Sequence, residues 1–124
     1  MRHIINLEVE NHSGVLARIA GLFSARGFNI ESLTVGKAES EETSRLTMVV
    51  RGDDWIIEQV TKQLNKLIDV IKVTDVTQND YVSRTLVLVK VSAPPAKRVE
   101  INQIIEIFRA KVVDISHKTM TLEL

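Results

Sequence analysis

Glu10-Asn11-His12-Ser13-Gly14-Val15-Leu16, answered further on by Gly27-Phe28-Asn29-Ile30, is the stretch whose reading decides the fold. Upstream, Ile5, Leu7 and Val9 alternate with Asn6, Glu8 and Glu10, the period of a half-buried strand. Downstream, Val15, Leu16, Ile19, Leu22 and Phe23 recur at helical spacing, with Ala17, Ala20 and Gly21 between them. Ser13 reads as the helix N-cap and Gly27 as its C-terminal stop. The first segment is thus a strand end, a tight polar loop and a helix start; the second closes that helix and opens a new strand. Two such loops can sit at one end of a fold and together hold a small amphoteric ligand.

Working outward, Ile30 to Lys37 reads as a strand with Leu33 and Val35 inward, and Glu39 to Thr43 as a charged turn. Ser44 to Arg51 is a further strand, with Leu46, Met48 and Val50 on one face. Gly52-Asp53-Asp54 launches a second helix, its acidic residues capping free N–H groups and complementing the dipole. Ile57, Val60, Leu64, Leu67 and Ile68 form its apolar stripe, Trp55 packs at its start, and Val70 to Val76 is the last strand. The order βαββαβ over residues 1–78 predicts an α+β, ferredoxin-like unit with two helices on one face of an antiparallel sheet.

The pattern then begins again over residues 79–124. Arg84 to Ser92 is a continuously apolar strand, expected to be buried on both faces. Ala93-Pro94-Pro95-Ala96 breaks it; Ile101, Ile104, Ile105 and Phe108 mark an amphipathic helix. Val112 to Ser116 and Thr119 to Leu124 are two short strands about a turn at His117-Lys118. This βαββ order is an incomplete ferredoxin-like unit. It predicts that Leu122 and Leu124 are poorly covered, and that the chain is part of a longer protein or is completed by another chain.

Composition narrows the functional classes. Lys plus Arg and Asp plus Glu balance at 16 each, so electrostatics offers no reason to expect nucleic acid or an anionic membrane as a partner. The RNA-binding fold that shares βαββαβ order needs stacking aromatics on its central strands. Ile4 to Glu10 and Ser44 to Arg51 carry none. The absence of cysteine removes disulfides and thiolate chemistry and fits a reducing cytoplasm. No stretch approaches the ~20 apolar residues of a membrane span.

The first loop has the chemistry of a ligand site. A helix N-terminus offers unpaired N–H groups and partial positive charge to a carboxylate, and Gly14 leaves the backbone approachable. Asn11 and Asn29 carry both donors and acceptors for an ammonium group, while Val15, Leu16 and Ile30 offer an apolar wall. A free aliphatic amino acid suits this set. The same residues also serve as ordinary turn and cap positions, and the residues by themselves leave both readings open.

Asn11-His12-Ser13-Gly14-Val15-Leu16-Ala17-Arg18-Ile19, Gly21-Leu22-Phe23 and Arg26-Gly27-Phe28-Asn29-Ile30-Glu31-Ser32-Leu33 resemble an ACT domain. More narrowly, with Gln63 to Val70, Arg84 to Val91 and Glu106 to Asp114, the chain resembles the small regulatory subunits of acetolactate synthase. The resemblance spans the whole chain, and the Asn-Ile-Glu-Ser-Leu element is its most specific part. It implies a subunit without an active site or cofactor of its own. Such a subunit binds and activates a large catalytic subunit carrying thiamin diphosphate, Mg and FAD, and confers feedback inhibition by a branched-chain amino acid, chiefly valine. It implies a homodimer paired through ACT domains, with effector sites at the pairing interface. By position, Asn11, His12, Ser13, Gly14, Val15, Leu16, Asn29 and Ile30 match the effector loops. The family's chain continues beyond Leu124, which supports truncation. A free-standing ACT-domain sensor regulating a different enzyme is the alternative.

Other constellations carry less. His3, His12 and His117 have no metal-ligand spacing, and His12 reads as a solvated loop residue that can also cover a ligand. Ser13 has no base partner within the sequence pattern, so a small enzyme on this scaffold has no acid–base or nucleophile constellation behind it.

Overall fold

Strand β1 (Arg2–Glu10) lies inside a four-stranded sheet because its alternation puts Ile5, Leu7 and Val9, with His3 at the start, on one buried face. In the computed structural model, which describes residues 1–124, it is followed by α1 (Val15–Ala25), β2 (Ile30–Lys37), β3 (Thr43–Arg51), α2 (Asp54–Asn65) and β4 (Val70–Asp75). The strand order is β2-β3-β1-β4 and every neighbouring pair is antiparallel. This is the ferredoxin-like α+β unit that the sequence predicts. Residues 1–81 form one compact unit and residues 82–124 another.

Ile5, Leu7 and Val9 of β1 join Leu46, Met48 and Val50 of β3 on the buried face. Val15, Ile19 and Phe23 of α1 and Ile57, Val60 and Leu64 of α2 close over them. Each such side chain contributes roughly 1.5–3 kcal/mol on full burial. The end of α1 is a paired carbonyl cap: Phe28 N–H donates to Phe23 O at 3.0 Å and Gly27 N–H to Ser24 O at 3.2 Å. Gly27 takes φ 71°, which its missing Cβ permits. The Phe23 and Phe28 rings meet edge to face at 6.4 Å, the apolar contact that accompanies this cap. Asp53 caps α2 as read, accepting from Ile56 N–H at 2.9 Å.

Several expectations are corrected. Ser13 does not cap α1: the N-cap is Gly14, in the left-handed region at φ 87°, with no side-chain cap bond. Leu33 and Val35 do lie beside Met48 and Leu46 in register, but they stay 36% and 43% exposed. The reason is that β2 is an edge strand beyond the reach of the helices. Ile68 is 88% exposed because α2 ends at Asn65 and the chain turns before the stripe reaches it. Trp55 is 65% exposed on the first turn of α2 and takes no part in the core.

The second unit comprises β5 (Leu88–Ser92), a short 3-10 turn at Pro95–Lys97, α3 (Arg98–Phe108), β6 (Lys111–Ile115) and β7 (Thr119–Glu123). Its sheet order is β5-β7-β6, again antiparallel. Ile101 and Ile105 of α3 pack on Ala93, Met120 and Leu122. Burial of the Arg84–Ser92 segment on both faces is not found: regular pairing starts at Leu88, and Leu86 and Leu88 are exposed because one helix covers one face only. Ile104 and Phe108 are also exposed. Leu122, expected to be poorly covered, is buried beneath α3, whereas Leu124 is half-exposed.

Candidate functional site

The Asn11–Gly14 loop is held from three sides. Asn11 N–H donates to Glu42 O at 2.8 Å, and its side-chain amide donates to Glu41 O at 2.8 Å, which leaves the amide oxygen free to accept. Glu10 N–H donates to Asp69 O at 2.9 Å. A bulge in the β1–β4 register leaves Ile71 unpaired, because Glu8 faces Lys72 while Val9 faces Val70. Bulges re-aim the residues around them, and here Asp69 comes to lie beneath the loop. Its side chain is buried, yet it pairs with the Arg18 guanidinium and lies 3.0 Å from His12 Nε2.

Gly14 at the N-cap leaves the first N–H groups of α1 without a side-chain cap. A Cβ at Gly14 would meet no atom within 4 Å, so the space over the helix start is open. Beside it is a cleft of about 150 Å³, lined by the apolar Val9, Val15, Leu16, Val35 and Leu46, by the buried Ser44, and by the exposed Glu10, Asn11 and His12 at its rim. At ~30 Å³ per water in the liquid this space suits a molecule of a few heavy atoms. An apolar floor with a polar, mixed-charge rim matches an aliphatic amino acid.

Asn11, His12, Val15 and Leu16 therefore converge on one cleft. Ser13 contributes its carbonyl, 3.4 Å from His12 Nδ1, and Gly14 contributes its backbone. Asn29 and Ile30 are elsewhere. Ile30 pairs with Val50, and Val50 pairs with His3, so Ile30 lies at the opposite end of the sheet from Glu10. At ~3.3 Å per residue that separation is roughly 23 Å. The expectation that the two loops share one end of a single chain is thus corrected. A helix of three turns between them carries the chain back along the sheet.

His12 is half-exposed, but it is paired and not merely solvated: Nε2 lies 3.0 Å from Asp69 and 3.2 Å from Glu10. The Ser13 carbonyl, the Glu10 hydrogen bond and the charges of Asp69 and Glu10 together raise its pKa above 6.5, against a lowering by desolvation. Glu10, His12 and Asp69 place ligand atoms within 4.8 Å of one another, a spacing that can hold a cation. The Arg18 guanidinium already neutralises Asp69 there, which disfavours an added metal ion. Sequence spacing missed Arg18 and Asp69 as members of this site; an Arg one turn into α1 and an Asp before β4 carry no local pattern that joins them. A second paired group, His3 with Asp75 at 3.0 Å, lies at the other end of the sheet, beyond the cleft.

Comparison with known proteins agrees with this architecture. The family model described as AHAS small subunit-like ACT domain matches residues 5–72, and the one described as small subunit of acetolactate synthase matches residues 84–124. A probable acetolactate synthase small subunit of Archaeoglobus fulgidus is 56% identical over 123 residues, covering 99% of this chain and 77% of that one. The acetolactate synthase small subunit of Bacillus subtilis is 53% identical over 124 residues, covering 99% and 72%. The crystal structure of the acetolactate synthase small subunit from Thermotoga maritima superposes with a TM-score of 0.85 at 41% identity, covering 100% of this chain and 78% of that one. No helix is long and apolar enough to cross a membrane.

Proposed function

Since the chain belongs to the acetolactate synthase small-subunit family, we propose that it acts as a non-catalytic regulatory subunit in branched-chain amino acid biosynthesis in the cytoplasm. It binds the large catalytic subunit, on which thiamin diphosphate, Mg and FAD reside, raises its activity and confers feedback inhibition. The effector is a branched-chain amino acid, valine first among them.

One observation carries the reading: the split of the loop set across the sheet, together with an open β2 edge. Strand β2 is unpaired along one side, and Leu33 and Val35 are exposed there. Edge strands of this kind are templates for pairing. Antiparallel pairing of β2 with β2 of a second copy joins two sheets about a two-fold axis. It sets the Ile30 end of one strand against the Lys37 end of the other. Val35, near that end, already lines the cleft. Asn29 and Ile30 of one copy then complete the Asn11–Leu16 cleft of its mate, so each dimer has two equivalent sites across the boundary.

In such a site the effector carboxylate takes the uncapped N–H groups at the start of α1, with the helix dipole in its favour. The ammonium group takes the Asn11 amide oxygen and the Asn29 amide, and the aliphatic side chain takes Val9, Val15 and Leu46. Binding at the boundary favours one arrangement of the two copies, and an attached catalytic subunit senses that arrangement through linkage. The test is a thermal-shift panel of amino acids with and without the large subunit. A rise in transition temperature with valine, leucine or isoleucine supports the reading; no rise with any branched-chain amino acid defeats it.

A further inference from the structure

Asp69 is the one carboxylate among the buried polar side chains, the others being His3 and Ser44. A buried carboxylate is costly unless paired, and both oxygens of Asp69 are committed. Oδ2 takes the Arg18 guanidinium from α1, and Oδ1 lies 3.0 Å from His12 Nε2. We infer that Asp69 is a positioning residue for effector recognition: it draws a charged His12 over the lip of the cleft and ties that loop, through Arg18, to the first turn of α1. The inference rests on the amino-acid-binding reading above and adds to it the group that holds the loop in its binding shape.

The hydrogen-bond inventory of the imidazole supports this independently. Nδ1 faces the Ser13 carbonyl at 3.4 Å, and Nε2 is hydrogen-bonded to the Glu10 carboxylate at 3.2 Å while Asp69, at 3.0 Å, is an ion-pair contact. A carbonyl and a carboxylate only accept, so both ring nitrogens must donate, and the ring that satisfies Ser13 and Glu10 is the imidazolium, whose charge also pairs with Asp69. The charges around it agree. Glu10 comes from β1, Asp69 from the turn before β4 and Glu42 from the turn before β3 at the same rim. Arg18 of α1 is the one cation and is held by Asp69. The imidazolium reduces a local excess of negative charge that would otherwise repel an effector carboxylate approaching α1.

Two consequences follow. Loss of the His12 proton removes one donor from Glu10 or Ser13, ends the ion pair that holds the loop to Asp69, and withdraws positive charge from the carboxylate side of the cleft. Effector affinity therefore falls as pH rises above the ordinary histidine value. Removal of the Asp69 charge loosens the loop at every pH and also lowers the pH at which His12 loses its proton.

The experiment uses the full chain, with wild type, Asp69→Asn and His12→Gln compared between about pH 5.5 and 8.5, the range in which histidine titrates. NMR follows the His12 ring, and calorimetry measures valine, leucine and isoleucine binding. In the wild type, affinity weakens as pH rises. Asp69→Asn moves the His12 midpoint down and weakens binding about threefold to fivefold at the acidic end, the loss of one part-exposed ion pair. His12→Gln removes the pH dependence; its side chain is half-exposed, so it carries the test even if Asp69→Asn fails to fold. Asp69→Asn with wild-type midpoint and affinity overturns the inference, as does His12→Gln with the wild-type pH profile. Wild-type protein that binds no branched-chain amino acid overturns the underlying reading and this inference with it.

Discussion

His12 Nε2 lies 3.0 Å from Asp69 Oδ1, joining the loop after β1 to the turn before β4. The contact makes the loop more than a connection between a strand and a helix. Through Arg18 on the other Asp69 oxygen, one buried carboxylate ties β1, α1 and β4 together at the rim of the cleft. A capping loop needs no such bracing; a loop that must present backbone N–H groups in one geometry does.

Gly14→Asp separates site from fold. Gly14 sits at φ 87°, and a Cβ there meets nothing within 4 Å. Asp is among the residues that tolerate the left-handed region best, so the strain is limited to about 1–2 kcal/mol. Its carboxylate projects over the helix start that is proposed to receive the effector carboxylate. Valine affinity in calorimetry is expected to fall by at least about tenfold, a single unfavourable charge contact, with the circular dichroism spectrum retained.

Leu33→Asp tests the pairing edge. Leu33 is about one-third exposed in the single chain, so the monomer should lose about 1–2 kcal/mol of stability and stay folded. Two like charges brought across a β2–β2 boundary oppose association. Sedimentation is expected to show a shift from dimer toward monomer at micromolar concentration, with valine binding lost in step. A monodisperse dimer with intact valine binding would place the boundary elsewhere.

The acid limb of stability has an identifiable contributor. Burial of Asp75 acts to raise its pKa, but hydrogen bonds from Thr77 and His3 outweigh it and hold the carboxyl below its usual 3.8. The folded value is thus below the unfolded one. The unfolded chain binds more protons in that interval, and stability is present above about 3.8 and lost as pH falls through the folded value. Asp75→Asn should lower neutral-pH stability by ~1 kcal/mol, a typical net hydrogen-bond contribution, and flatten the acid limb of urea midpoints measured against pH.

Much of the fold was legible because the first unit keeps local and global signals in agreement. The alternation of Ile5, Leu7 and Val9, the Asp53 cap and the Gly27 stop each match the observed structure. The misreadings share one cause. Periodicity shows which way a side chain points, and it does not show whether anything covers it. Leu33, Val35, Ile68, Ile104 and Phe108 all belong to apolar patterns and all remain exposed. The site was legible in part for a related reason. Asn11, His12, Val15 and Leu16 are adjacent in sequence and share a cleft, whereas the Asp69 side chain touches only His12 and Arg18 of that region, beside a β4 bulge that no local pattern marks. Asn29 and Ile30 lie at the other end of the single chain, and the proposed antiparallel pairing of two β2 strands would bring them to the cleft of the second copy.

That pairing is open to a direct test with hybrid dimers. Asn11→Ala and Asn29→Ala chains carrying different tags are co-expressed, and dimers with one chain of each are isolated and titrated with valine. Each parent homodimer lacks an Asn at both boundary sites and should bind weakly. In the hybrid, one site carries both substitutions and the other carries neither, so binding at wild-type affinity with half the wild-type stoichiometry is the predicted result. A hybrid that binds no better than its parents would show that Asn11 and Asn29 do not meet across two chains, and would contradict the account.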